Sequence, residues 1–173
     1  MFEIALLLFF PFLMLYAAFS DMVSMTISNK VSLALIAGFV LFAYLGGMSL
    51  ESFGWHWAMF ALTLLAGIGL FAVGQAGGGD VKLIASTALW FGWDFTLPYL
   101  LVASILGALL TLFLINARGL IIPDRIAGIG WIARLHRADV GIPYGMALGF
   151  AALIVYPNTP WMQHALHLAS LTP

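Results

Sequence analysis

The chain contains no cysteine, which excludes disulfides, zinc–thiolate centres and cysteine nucleophiles. Charge is almost as scarce. Six Lys and Arg and seven Asp and Glu make up 8% of the 173 residues. A soluble domain of this size needs far more polar side chain to cover its surface. No stretch of soluble composition is long enough to fold alone, so residues 1–173 read as a single membrane domain. Nucleophile-elbow and metal-ligand motifs are missing too, and no motif asks for a cofactor. The N-terminus, Met1-Phe2-Glu3 before an apolar run, lacks the basic region of a secretory signal, so the first segment reads as a retained helix.

Apolar residues are what the chain has. They are 64% of it, and the mean hydropathy is +1.09, so the main solvent is lipid. Segments that cross lipid must pair every backbone group internally, and the alternation of a barrel strand is absent. The fold class is therefore an all-α polytopic membrane protein. With about 20 apolar residues per span, about six transmembrane helices emerge: 4–19, 31–48, 55–73, a short fourth at 81–93, 95–115 and 144–156. The connection 116–143 is the one sizeable piece outside the membrane. Pro123-Asp124 opens a predicted cytoplasmic amphipathic helix there, with Ile122, Ile126, Ile129 and Ala133 on one stripe and Arg125, Arg134 and Arg137 mostly off it.

Where the few charges fall orients the bundle. Lys30 follows the first helix, Lys82 the third, and Arg118, Arg125, Arg134 and Arg137 the fifth; all three connections lie on one side. The other side carries Glu3, Glu51 and Asp94 and no Lys or Arg. The basic side is cytoplasmic by the positive-inside rule, with both termini outward. Trp55, Trp57, Trp90, Trp93 and Trp161 fall near outer helix ends, as an interfacial belt would. The arginine cluster beside a membrane points to anionic lipid and away from nucleic acid.

Two carboxylates stand out. An Asp at membrane depth costs about 2.5–3.5 kcal/mol on insertion scales, so its retention calls for a function. Asp21 ends the first helix and Asp80 lies at the inner end of the third or the start of the fourth, both on the cytoplasmic side. If they meet, they share one proton: one acts as base on water while the other polarises a scissile carbonyl. Gly77-Gly78-Gly79 hold a helix poorly, each costing about 1 kcal/mol against Ala, and their missing Cβ atoms admit an extended peptide. An unwound patch beside the acid would suit a protease. A plain loop with a helix-capping Asp satisfies the same residues, and two acids beside a broken helix also fit a small proton- or cation-coupled transporter. A non-catalytic assembly subunit of a pilus or secretion machine is the third reading.

Gly77-Gly78-Gly79-Asp80, extended by Val81-Lys82, is similar to the GxGDxK signature of the type IV prepilin peptidase family of intramembrane aspartic proteases. Asp21 followed by Ile27-Ser28-Asn29 resembles that family's first motif, an Asp six to eight residues ahead of Ile-Pro-Asn. Ile142-Pro143-Tyr144-Gly145 resembles a third. The resemblance implies that Asp21 and Asp80 form the catalytic pair, that Gly77 and Gly79 shape the substrate approach, and that Lys82 and Asn29 support the site. It implies substrates as well: pilin-like precursors, cut between a short basic leader and a hydrophobic helix at the cytoplasmic face of a bacterial or archaeal inner membrane. Ser28 stands where the family has proline, which implies a less rigid turn. The cysteine-bearing region of the longer, methylating members is not present, so the chain resembles the short form of the Flp (tight-adherence) pilus type, close to archaeal preflagellin peptidases.

The other polar residues have simpler readings. Lys30 is an anchor, Lys82 divides between anchor and partner of Asp80, and Asn29 caps the second helix or orients its loop. Asp124 and Asp139 pair with nearby arginines. His56 and His136 are interfacial, and His164 with His167 lacks the carboxylate or thiol that would complete a metal shell.

Overall fold

A computed structural model describes residues 2–121 and 123–171. Ile122 lies outside the described residues, as do the side chains of Glu3, Asp124 and His167, and with them the expectations placed there. Among the described residues there is no strand. The helices are α1 (Phe2–Ser24), α2 (Asn29–Leu45), α3 (Leu50–Ala72), α4 (Gly78–Arg118), α5 (Asp124–Ala127), α6 (Gly130–His136), α7 (Tyr144–Val155) and α8 (Pro160–Leu171), with a 3₁₀ turn at Tyr156–Asn158. Three are long and apolar enough to cross a membrane: α1 from Ile4 to Ser24, α3 and α4. The 17-residue α2 is apolar but shorter. The chain is an all-helical membrane protein.

A straight helix of 41 residues would run about 60 Å, twice the about 30 Å hydrocarbon core. Gly92 solves this by breaking α4 with φ 60° and ψ −158°, a conformation open in practice to glycine alone. Tyr99, beyond the break, lies within electrostatic reach of Asp80 at the start of the helix. A straight helix would hold those two about 28 Å apart, so the two arms fold back on each other. The predicted short fourth and full fifth helices are these arms. Pro160–Leu171 forms a further helix that the sequence reading left out.

The core sits where α1, α2, α4, α7 and α8 converge. Phe10 stacks on Tyr156 at 4.6 Å and Trp90 packs on Trp161 at 5.1 Å. Trp90 is fully buried and Trp161 only 8% exposed, which removes both from the expected interfacial belt. Each finds a backbone acceptor instead: Trp90 Nε1 donates to the Leu35 carbonyl at 2.9 Å, and Trp161 Nε1 to the Trp90 carbonyl at 2.6 Å. Trp55 and Trp93 remain half-exposed and meet edge to face at 6.2 Å. The His56 ring also packs inward. It is partly buried against Phe39, with Nδ1 2.7 Å from the Leu89 carbonyl.

The α7 helix approaches α1 through a Gly-x-x-x-Gly face. A Cβ on Gly149 would come within 2.7 Å of the Met14 carbonyl and 2.8 Å of Ala18, so only glycine allows the two backbones this close. That approach sets the position of Gly145 one turn earlier.

The connection 116–143 is not one amphipathic helix. Gly128 and Gly130 flank Ile129, which serves as N-cap of α6, and the predicted stripe is split between two short helices. Both Ile126 and Ile129 are more than 40% exposed. Arginine ties this segment down. Arg118 donates to the carbonyls of Leu135, Val140 and Gly141 at 2.8–3.0 Å, and Arg134 donates to Val23 at 2.6 Å, satisfying a free carbonyl at the end of α1. Arg137 pairs with Asp139 at 2.5 Å on the exposed surface, which holds the Asp139 carboxyl below the usual range.

Candidate active site

The end of α1 is built to place Asp21. Met25 takes a left-handed conformation, φ 55°, and its N–H returns to the Asp21 carbonyl at 2.8 Å, closing the helix as glycine usually does. Ser20 and Ser24 hold the turn that follows: Ser20 Oγ donates to the Thr26 carbonyl at 3.0 Å, and Ser24 Oγ to the Ser20 carbonyl at 2.7 Å. The chain then reaches Ser28, whose φ of −65° is the one a proline ring imposes and whose ψ is 135°. Ser28 Oγ accepts the Lys30 N–H at 3.3 Å and caps α2. Ser28 is thus the cap, and Asn29 is the first helical residue.

That shift frees the Asn29 side chain. Its Oδ1 accepts a hydrogen bond from Lys82 Nζ at 2.8 Å, joining the start of α2 to the first turns of α4. The two supporting residues named from the sequence are therefore direct partners.

The glycine run is more ordered than the sequence suggests. Gly77 is the N-cap of α4, and Gly78, Gly79 and Asp80 form its first turn rather than an unwound patch. Asp80 consequently sits near the positive end of a helix dipole, a placement worth about 0.3–1 kcal/mol to a carboxylate. Its side chain folds back over Gly77, where a Cβ would stand 2.9 Å from Asp80 Oδ2. Gly79 lies against Ile27, with 3.3 Å between a Cβ there and the Ile27 Cβ.

Asp21 is only 6% exposed, and its Oδ2 accepts the backbone N–H of Gly145 at 2.8 Å. A Cβ on Gly145 would meet Asp21 Oδ2 at 2.9 Å and Ile27 Cδ1 at 2.7 Å. Ile27 therefore touches the surroundings of both acids, Gly79 on the Asp80 side and Gly145 on the Asp21 side. The two carboxylates lie within electrostatic range of each other. Such a pair can hold one proton between them and act as acid and base on a peptide carbonyl.

Three residues escaped the sequence reading. Gly145 appeared only within a motif, and the function of its N–H depends on the packing of α7. Ile27 likewise appeared only within a motif, and its place between the two acids depends on how the helices pack. Tyr99 is fully buried and near Asp80, and its hydroxyl has no well-formed hydrogen bond among the described residues; its neighbours Pro98 and Leu100 gave no signal. No group of three His, Asp or Glu among the described residues is arranged to hold a metal.

Comparison with known proteins adds independent information. Residues 8–112 match the model of the type IV leader peptidase family, a span that includes Asp21, Asn29, Asp80 and Lys82. Prepilin leader peptidase/N-methyltransferases of Aeromonas salmonicida strain A449 and Aeromonas hydrophila are each 29% identical to the chain over 150 residues. The alignments cover 79% of this chain and 43% of theirs, so the chain spans less than half the length of these relatives. No solved structure matches it.

Proposed function

Since the chain belongs to the type IV leader peptidase family, we propose that it is a membrane-embedded aspartic endopeptidase that removes the leader of type IV pilin-like precursors. The observation that carries this reading is the buried Asp21, gripped by the Gly145 amide and within electrostatic range of Asp80. In the proposed reaction one carboxylate takes a proton from water while the water oxygen attacks the scissile carbonyl carbon. The other carboxyl gives its proton to the carbonyl oxygen. The tetrahedral diol then collapses: the C–N bond breaks, the leaving nitrogen gains a proton, and the dyad returns to its starting state. One water is consumed, and no covalent enzyme intermediate forms.

Residues 1–173 act in this reading as one peptidase domain: Gly77 and Gly79 shape the substrate approach by leaving room for the Asp80 carboxylate and for Ile27, and Lys82 and Asn29 support the site. The positive-inside pattern supports a six-span bundle with both termini outward and the dyad at the cytoplasmic face of the inner membrane. A precursor of the Flp type, with a basic leader in the cytoplasm and an apolar helix in the bilayer, presents its cleavage junction at that depth. Arg125, exposed on the cytoplasmic segment, is the arginine best placed for anionic lipid, since Arg118, Arg134 and Arg137 already serve protein acceptors.

The test is processing of a pilin-like precursor by the intact chain, by Asp21→Asn and by Asp80→Asn, followed as a size shift with membrane levels matched. The proposal requires cutting by the first and an intact precursor with both variants. Cutting at the original rate by either variant overturns the dyad.

A further inference from the structure

An apolar groove opens beside the candidate site, about 380 Å³ in volume, with α2 and α3 as walls and the first arm of α4 as floor. Ser32 and Ile36 stand one turn apart on α2, Phe60 and Leu64 one turn apart on α3, and Lys82 and Ala85 form the floor. The inner mouth carries Asn29 and Lys82, hydrogen-bonded to each other, with Lys82 two residues from Asp80. The groove therefore runs from the level of the acids into the depth of the bilayer.

Two features point to an occupant other than a lipid chain. Ser32 is 7% exposed, and its hydroxyl has no hydrogen-bond partner among the described residues. A buried hydroxyl left unpaired costs about 1–3 kcal/mol, and an acyl chain offers it nothing. The mouth is also positive: Lys82 has a neutral partner there, Asn29, rather than an acid.

We propose that this groove binds the apolar segment that follows the cleaved bond of the precursor, with Ser32 and Asn29 pairing backbone groups that unwinding at the cut leaves free. The proposal rests on the peptidase reading above. A segment opened for cleavage exposes N–H and C=O groups that lipid cannot satisfy, and the groove supplies polar partners at its inner end and apolar walls beyond. Lys82 gives the binding a direction. It repels a basic leader, so the leader stays in the cytoplasm while the apolar side enters between α2 and α3. Phe60 and Leu64 then contact the segment about two turns deeper.

Because the chain has no native cysteine, single cysteines report on the groove cleanly. Ile36→Cys and Leu64→Cys, placed in the Asp80→Asn background in lipid nanodiscs, are expected to cross-link to a cysteine in the apolar segment of a bound precursor. Leu109→Cys, on the exposed face of the second arm of α4, is expected not to. Equal yields at all three positions overturn the proposal. So does labelling of Ile36→Cys by a membrane-soluble maleimide that precursor fails to reduce, since lipid is then the occupant.

Kinetics separate this inference from the one beneath it. Ile36→Trp fills the groove and should raise KM about tenfold with little change in kcat, the pattern of lost ground-state binding. If the original chain cuts precursor and Ile36→Trp cuts with the same KM, the groove is wrong and the peptidase stands. If the original chain cuts no precursor, the peptidase reading fails and the groove with it.

Discussion

The backbone N–H of Gly145 and the carboxylate of Asp21, 124 residues apart, meet at 2.8 Å in the buried interior. That contact depends on α7 lying against α1 with no side chain between, and it aims one of the two acids of the candidate site. It also leaves no room for a side chain at Gly145.

Gly145→Ala should be damaging for that reason. The added methyl would stand 2.9 Å from Asp21 Oδ2 and 2.7 Å from Ile27 Cδ1. Overpacking of this kind costs about 1–3 kcal/mol, and displacing the carboxylate should slow precursor processing at least about tenfold. A thermal melt in detergent and a processing time course measure the two effects. An alanine variant that cuts at the original rate would remove Gly145 from any part in positioning Asp21.

Ser28→Pro should be tolerated. The φ of −65° at Ser28 suits a proline ring, and the stiffer unfolded chain contributes about 0.4–1 kcal/mol. Loss of the Oγ cap on Lys30 N–H costs about 0.5–2 kcal/mol. The two nearly cancel, so the melting temperature should move by only a few degrees in either direction. Collapse of the fold would mean that the Ile27–Ser28 turn differs from the one described.

Gly92→Ala should destabilise the bundle. The residue would be forced into a φ/ψ region that costs about 1–3 kcal/mol, with its Cβ 3.0 Å from the His56 ring. The reading is a lower melting temperature, and a variant as stable as the original would argue against the fold-back of α4.

Lys82 and Asn29 should behave as a pair. If their hydrogen bond is what each contributes, Lys82→Ala and Asn29→Ala will slow processing by similar factors, and the double variant will be little worse than either. The coupling expected for one hydrogen bond with a charged donor is about 1.5–3 kcal/mol at most, less at this exposed position. Strict additivity in a double-mutant cycle would show that the two act separately.

Much of this protein is legible in its residues alone. Scarce charge and long apolar runs require a membrane helix bundle, because lipid offers no partner to an open backbone. The family pattern around Asp21, Asn29, Asp80 and Lys82 depends on short spacings, and those survive whatever the helices do in space. A division of α4 was expected near Asp94, between the predicted helices 81–93 and 95–115; the structure sets the break two residues earlier, at Gly92.

What only the tertiary structure decided is where helices touch. Trp90 and Trp161 looked like belt residues, since an aromatic near a helix end is the same whether it faces lipid or a neighbour; packing put both in the core. The amphipathic stripe of the 116–143 connection was real as a pattern, yet glycines at 128 and 130 and the grip of Arg118 and Arg134 divided it. Asn29 and Lys82 were each named from the sequence, but that they hold each other follows from α2 crossing α4. The Gly145 amide on Asp21 is the clearest case. Periodicity describes one helix at a time, while a hydrogen bond between α7 and α1 arises from the close packing that Gly149 permits.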